Sequence, residues 1–177
     1  MGLSRATLGG GCFWCLDAAF KTIDGVVNVR SGYAGGQDPE PHYEKVITGT
    51  TGHAEVVDIT FDDSIITYKD ILKVFFSIHD PTTKDRQGND VGTQYRSLIL
   101  YHDEKQRVDA SDCIKAFDLS GKYDSSAVTE VKEFDVFHPA EEYHQDYFRR
   151  NPMSMYCRLV VDPKVRKAKE VNRTLRG

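Results

Sequence analysis

Arg5-Ala6-Thr7-Leu8-Gly9-Gly10-Gly11-Cys12-Phe13-Trp14-Cys15-Leu16-Asp17-Ala18-Ala19-Phe20 changes its hydrophobic period midway, and the expected fold follows from that change. Arg5 to Gly10 reads as a short strand running into the triplet Gly9-Gly10-Gly11. From Cys12 onward Phe13, Leu16, Ala19, Phe20 and Ile23 recur at three- and four-residue spacing, the period of an amphipathic helix, which Gly25 is expected to end. Cys12 therefore falls where strand, glycine turn and helix meet. Unpaired N–H groups and the helix dipole at such a junction favour a thiolate. The glycines let the backbone turn sharply and approach a ligand closely.

Outward from this unit, Val26 to Tyr33 has strand character, followed by a long loop from Gly35-Gly36 through Asp38-Pro39-Glu40-Pro41. His53 to Phe61 alternates as a half-buried strand, and Thr67 to His79 places Ile71, Leu72, Phe75, Phe76 and Ile78 on one helical face. Asp80 to Thr93 reads as a loop, Arg96 to Tyr101 as a strand, Glu104 to Leu119 as a helix and Ala127 to Phe137 as a strand. Pro139 to Arg149 reads as helical, and Cys157 to Val161 as a last short strand before a C-terminal helix. Alternating strands and helices argue for an α/β (α+β layered) fold. The expected architecture is one domain over 1–177, a mixed β-sheet with flanking helices around a ferredoxin-like split βαβ core.

Composition narrows the function classes. A formal charge of −4 gives no electrostatic reason to expect a nucleic-acid partner. The basic tail from Lys164 to Arg176 reads as a solvated helix. No run approaches the roughly 18 apolar residues of a membrane span. Met1-Gly2-Leu3-Ser4-Arg5-Ala6 has no apolar core for a secretory signal, and Ala6 stands where a myristoylation pattern needs Ser or Thr. The expectation is a cytoplasmic protein, where cysteines stay reduced, so four of them point to chemistry or metal before structural disulfides.

Cys12 and Cys15, three residues apart at a helix start, form a plausible redox pair. Residues alone leave other readings open: a buried inert cysteine, a zinc site, or a thioredoxin-like exchange site. Zinc needs two more ligands, and Cys113 and Cys157 are isolated with no His pair close by. Phe13 and Trp14 would form an apolar wall beside the sulfur, which binding of an apolar group requires and thiol exchange does not. Glu55, a carboxyl in an apolar strand, would have a raised pKa in a dry pocket and could act as a general acid. Tyr43 and Tyr95 each put a phenol near a glycine-bearing loop, where packing alone is the commoner role.

Taken together, Gly11-Cys12-Phe13-Trp14, Gly32-Tyr33-Ala34-Gly35-Gly36, Thr51-Gly52-His53-Ala54-Glu55, His79-Asp80-Pro81-Thr82, Gly88 through Ser97, Ala140-Glu141-Glu142-Tyr143-His144-Gln145-Asp146-Tyr147 and Asn151-Pro152 resemble the peptide methionine sulfoxide reductase A (MsrA) family. The resemblance runs from about Leu8 to Cys157. It implies a peptide-methionine (S)-S-oxide reductase acting on methionine-S-sulfoxide, free and in proteins. It also implies Cys12 as the attacking thiolate, Phe13 and Trp14 as the pocket for the ε-methyl group, and Glu55 as proton donor to the sulfoxide oxygen. Tyr43 and Tyr95 would hydrogen-bond that oxygen, and Asp90 and Tyr156 match further positions of the site. The Cys12 sulfenic acid would condense with a second thiol, and thioredoxin would reopen the disulfide. Many relatives have Gly where Cys15 stands and resolve through a C-terminal cysteine, so Cys15 and Cys157 are both candidates, alone or in relay, with Cys15 preferred for its proximity. No metal or organic cofactor is implied, nor a membrane partner, and the protein is expected to be a monomer.

Overall fold

The computed structural model describes residues 2–177; Met1, part of the stretch read above for a leader, lies outside the described residues. The chain runs β1 (Leu3–Gly9), α1 (Phe13–Phe20), β2 (Val26–Ala34), α2 (Tyr43–Val46), β3 (Ala54–Asp62), α3 (Tyr68–Ile78), β4 (Arg86–Gln87), β5 (Asp90–Val91), β6 (Leu98–Tyr101), α4 (Glu104–Leu119), β7 (Glu130–Glu133), β8 (Phe137–Pro139), α5 (Tyr147–Arg150) and α6 (Asp162–Arg176). Six strands form one sheet in the order β7-β6-β1-β3-β2-β8, and β4 pairs with β5 in a separate hairpin. All pairs in the main sheet are antiparallel except β6 with β7. Within it, β1-α1-β2-β3-α3-β6 has the strand order β6-β1-β3-β2, the expected ferredoxin-like split βαβ arrangement.

Local chemistry explains the helix boundaries. Thr67 accepts the Asp70 N–H at 3.1 Å while the Asp70 carboxylate takes the Thr67 N–H, a capping box that starts α3 one residue into the expected range. Asp103 caps α4 by accepting the Gln106 N–H at 2.8 Å. In contrast, α1 stops at Phe20, short of Gly25. Thr22 and Ile23 donate to the carbonyls of Ala19 and Phe20, three residues back, which tightens the chain into a turn before β2.

Helices α1, α3 and α6 pack together, and α1 and α3 also contact the sheet. The main core cluster holds Leu8, Phe13, Leu16, Phe20, Val57, Ile59, Leu72, Phe75 and Ile99. A second cluster, Ala34, Ala54, Val56, Leu98 and Leu100, is covered by Phe134 and Phe137. Strand β3 therefore lies between two apolar layers, and every residue from Ala54 to Ile59 is buried rather than alternate ones.

Four further expectations are corrected. The single strand read over 127–137 is two strands, β7 and β8, on opposite edges of the sheet, because the chain between them crosses to place Phe134 and Phe137 on the second cluster. The helix read over 139–149 is not continuous but a strap of short pieces: Pro139 to Glu141 run extended, Glu142–His144 make one 3₁₀ turn, and α5 begins only at Tyr147. The Ala140 N–H donates to the Ser31 carbonyl, and the Gln145 side chain bonds both the N–H and the carbonyl of Ser31. Residues 157–161 form a wide helical turn leading into α6 rather than a strand; Cys157 and Val161, four apart, are buried while Arg158 and Leu159 are exposed. The loop read over 80–93 contains the β4–β5 hairpin.

Candidate active site

Strand β1 delivers the Gly10-Gly11 turn. Gly11 has φ +87°, a conformation side chains disfavour, and a Cβ there would lie 2.8 Å from Gln87 Cγ. Its N–H donates to the Tyr95 carbonyl at 3.1 Å, joining the turn to the segment after the hairpin. Cys12 is the extended residue that opens α1, and its side chain does not cap the helix. One first-turn donor finds its partner elsewhere: the Phe13 N–H donates to Glu55 Oε1 at 3.1 Å. Glu55 comes from β3, directly opposite Tyr33 of β2.

Cys12, Phe13, Trp14, Tyr43, Glu55, Asp90, Tyr95 and Tyr156 line one cavity of about 170 Å³. Every expected catalytic and substrate-binding position is in that lining, while Cys15 and Cys157 lie outside it. A larger cavity of about 440 Å³, bordered by Gly35, Lys132, Glu133 and His138 among others, has no cysteine in its lining. All four cysteines are free. Among the described residues, no three His, Cys, Asp or Glu side chains gather as a metal-holding group.

Burial controls the electrostatics. The Cys12 thiol is pushed well above its ordinary pKa, first by burial, then by Glu55 and Cys15, against the Trp14 N–H and the Tyr156 hydroxyl. Desolvation thus opposes the thiolate that the helix start favours. Glu55 is pushed up to about 8 by burial, with Asp90 adding to the rise and the Phe13 N–H opposing it. It is therefore neutral and holds a proton at pH 7. Tyr43 and Tyr95 are also raised, by burial first and then by Glu55 and Cys12, so both phenols remain donors.

The aromatic wall is held from behind. Trp14 Nε1 donates to His144 Nδ1 at 3.1 Å, and the indole stacks on Tyr147 with centroids 3.6 Å apart and planes 4° apart. Phe13 rests near Tyr33 and His144, with centroids at 5.7 and 5.1 Å. The Tyr156 hydroxyl donates to Asp90 Oδ2 at 2.7 Å and lies 3.8 Å from Cys15 Sγ. His144 and Tyr147 were visible only as members of a motif; no local spacing links them to Trp14, about 130 residues away in the chain. A buried thiol, a proton-bearing carboxyl, neutral phenols and an apolar wall suit a small substrate with a polar oxygen beside a methyl-sized group.

Residues 4–175 match the family model described as peptide methionine sulfoxide reductase. The peptide methionine sulfoxide reductase MsrA of Saccharolobus solfataricus is 57% identical over 162 residues, 92% of this chain and 90% of that protein. Its counterpart in Sulfolobus acidocaldarius is 56% identical over 162 residues, 92% of this chain and 91% of its own length. Among solved structures, reduced Mxr1 from Saccharomyces cerevisiae superposes with a TM-score of 0.82 at 32% identity, covering 88% of this chain and 89% of that one.

Proposed function

The chain belongs to the peptide methionine sulfoxide reductase family, and from that premise we propose that Cys12 reduces the S-epimer of methionine sulfoxide, free and in proteins. One observation carries the reading: a buried thiol shares a small cavity with a carboxyl raised to about 8 and with the Phe13 and Trp14 rings.

A sulfoxide sulfur is a poor electrophile until its oxygen is protonated. Cys12 Sγ forms a bond to that sulfur as Glu55 passes its proton to the oxygen, and the thiol proton replaces the one Glu55 gives up. The hydroxyl then passes from the substrate sulfur to Sγ as the bond between the two sulfurs breaks, so methionine leaves and Cys12 remains as a sulfenic acid. The thiol sulfur supplies both electrons, so no metal or organic cofactor enters. Tyr43 and Tyr95 hydrogen-bond the oxygen, where charge develops during attack. Phe13 and Trp14 receive the methyl group and so select the epimer, while Asp90 orients Tyr156 at the rim. With resolved epimers and dithiothreitol, methionine should form from the S-epimer and not the R; no product from the S-epimer would end this reading.

Cys15 then condenses with the sulfenic acid, releasing water, and the dithiol of thioredoxin reduces the disulfide. Cys15 is favoured because it lies one turn along α1, and its Sγ lies 3.8 Å from the hydroxyl of Tyr156, which lines the cavity beside Cys12. Cys157 is fully buried in the turn leading into α6 and lies outside the cavity lining. One equivalent of substrate should give a Cys12–Cys15 disulfide in wild type and Cys157→Ser, and a dimedone-trappable sulfenic acid in Cys15→Ser. A Cys12–Cys157 bond in wild type would reverse the assignment. Among the described residues no helix is long and apolar enough to cross a membrane. The remaining parts of the proposal are a single catalytic domain over 1–177, acting as a monomer in the cytoplasm without nucleic acid.

A further inference from the structure

We propose that Glu141, on the strap after β8, is a positioning residue that sets the Tyr43 phenol at the substrate pocket. The inference rests on the catalytic reading of Tyr43 given above. Tyr43 reaches the cavity on α2, a helix of four residues that follows a loop holding two prolines. So short an element has little stability of its own. Its opening residue His42 makes no side-chain cap, which leaves the Tyr43 N–H without a partner inside the helix.

Glu141 supplies that partner. Its Oε2 accepts the Tyr43 N–H at 2.8 Å, and its Oε1 accepts the Tyr33 hydroxyl at 2.8 Å. Tyr33 is fully buried in β2, opposite Glu55 and beneath the Phe13 ring. One carboxylate thus ties the start of α2 to the strand that borders Glu55. Glu141 is itself held at both sides. The Ala140 N–H donates to the Ser31 carbonyl at 2.9 Å, and Gln145 bonds the Ser31 N–H at 3.0 Å and the Ser31 and Ala140 carbonyls at 2.9 and 3.1 Å. The next pocket-facing contact repeats the design, since the Tyr43 ring lies 4.5 Å from the ring of His144 on the same strap. Burial opposes the Glu141 charge, but the Tyr43 N–H, its own backbone and the Tyr33 hydroxyl hold its pKa below the ordinary carboxylate value. It is therefore an anion across the working pH range and gives charge-assisted bonds to both donors.

A residue that only supported the fold would lower activity whether or not Tyr43 had its hydroxyl. A residue acting through Tyr43 would not, and a double-mutant cycle separates the two. Methionine release is measured in a single turnover, before any disulfide step, in wild type, Glu141→Ala, Glu141→Gln, Tyr33→Phe, Tyr43→Phe and the doubles with Tyr43→Phe. Glu141→Ala should slow release roughly tenfold, the scale expected for a misplaced catalytic group, and Tyr43→Phe by a similar factor. Glu141→Gln should restore most of the rate, because its oxygen can still accept the Tyr43 N–H. Tyr33→Phe, a near-isosteric change that leaves the fold least disturbed, should cost about threefold by loosening one of the two bonds. In the Tyr43→Phe background, neither Glu141→Ala nor Tyr33→Phe should slow release further. Alkylation of Cys12 by iodoacetamide should proceed at the wild-type rate in Glu141→Ala. Losses that multiply with Tyr43→Phe, a wild-type rate in Glu141→Ala, or altered Cys12 alkylation would each overturn the proposal. A wild-type rate in Tyr43→Phe would remove the Tyr43 role itself; a slow Tyr43→Phe beside a fast Glu141→Ala would remove only the role of Glu141.

Discussion

Cys12→Ser will reduce methionine formation from the S-epimer to the rate without enzyme, a loss of roughly 10⁴-fold or more, the scale seen when a covalent nucleophile is removed. The reason goes beyond nucleophilicity. The oxygen taken from the substrate must end on the attacking atom, which loses two electrons in the exchange. A thiol sulfur does this readily and becomes a sulfenic acid. A serine oxygen would have to become a hydroperoxide, a far less stable product, so the reaction is closed thermodynamically as well as slow. The substitution changes little else. Cys12 is 9% exposed, and its side chain holds no helix cap. Burying a hydroxyl there should cost about 1 kcal/mol of stability, readable as a small shift of the urea midpoint. Dithiothreitol-dependent methionine release measures the activity, and any turnover above background would refute Cys12 as the nucleophile.

Glu55→Gln is expected to slow the single-turnover release of methionine by about 10²-fold to 10³-fold at pH 7, in the range general acid catalysis contributes. Glutamine keeps the volume and can still donate a hydrogen bond, but it cannot hand over a proton. The pH profile makes the test sharper. Burial raises Glu55 to about 8, so the acid form predominates below that pH and disappears above it. The wild-type reductive step should therefore be level through neutrality and fall as pH rises past about 8, approaching tenfold per unit. In Glu55→Gln that descending limb should vanish, leaving a slow step without it. A thiolate formed before substrate binds would produce the opposite slope, since more Cys12 ionises as pH rises. Undiminished release in the variant, or a wild-type rate that climbs through pH 8, would remove Glu55 from the acid role.

Much of the molecule was legible from residues in order. The period change at Cys12, the helix over Glu104 to Leu119 and the apolar face of α3 are local signals, read within one or two helical turns, and they correspond to the observed elements. Segments whose conformation depends on distant partners were misread. Pro139 to Arg149 has a helix-compatible pattern, yet its helix is broken into a 3₁₀ turn and the short α5, with Ala140 and Gln145 bonded to Ser31 instead. Cys157 to Val161 has the apolar, β-branched composition of a strand, yet it packs as a helical turn beside α6 and α1. The split of 127–137 follows from an apolar patch on the sheet that no single segment announces.

For the site, the sequence alone determined which residue types were available and in what order: a cysteine at a strand-to-helix junction with two aromatic residues beside it, a carboxyl in an apolar strand, and phenols near glycine loops. Covalent order is enough for that, because junction, period and neighbours are properties of adjacent residues. Only the tertiary structure decided that Glu55 meets the Phe13 N–H, that His144 and Tyr147 hold the Trp14 indole, and that Glu141 joins Tyr33 to Tyr43. It also set burial against the thiolate at Cys12. A helix start favours a thiolate, but desolvation depends on everything packed around the sulfur, and here burial is the larger effect.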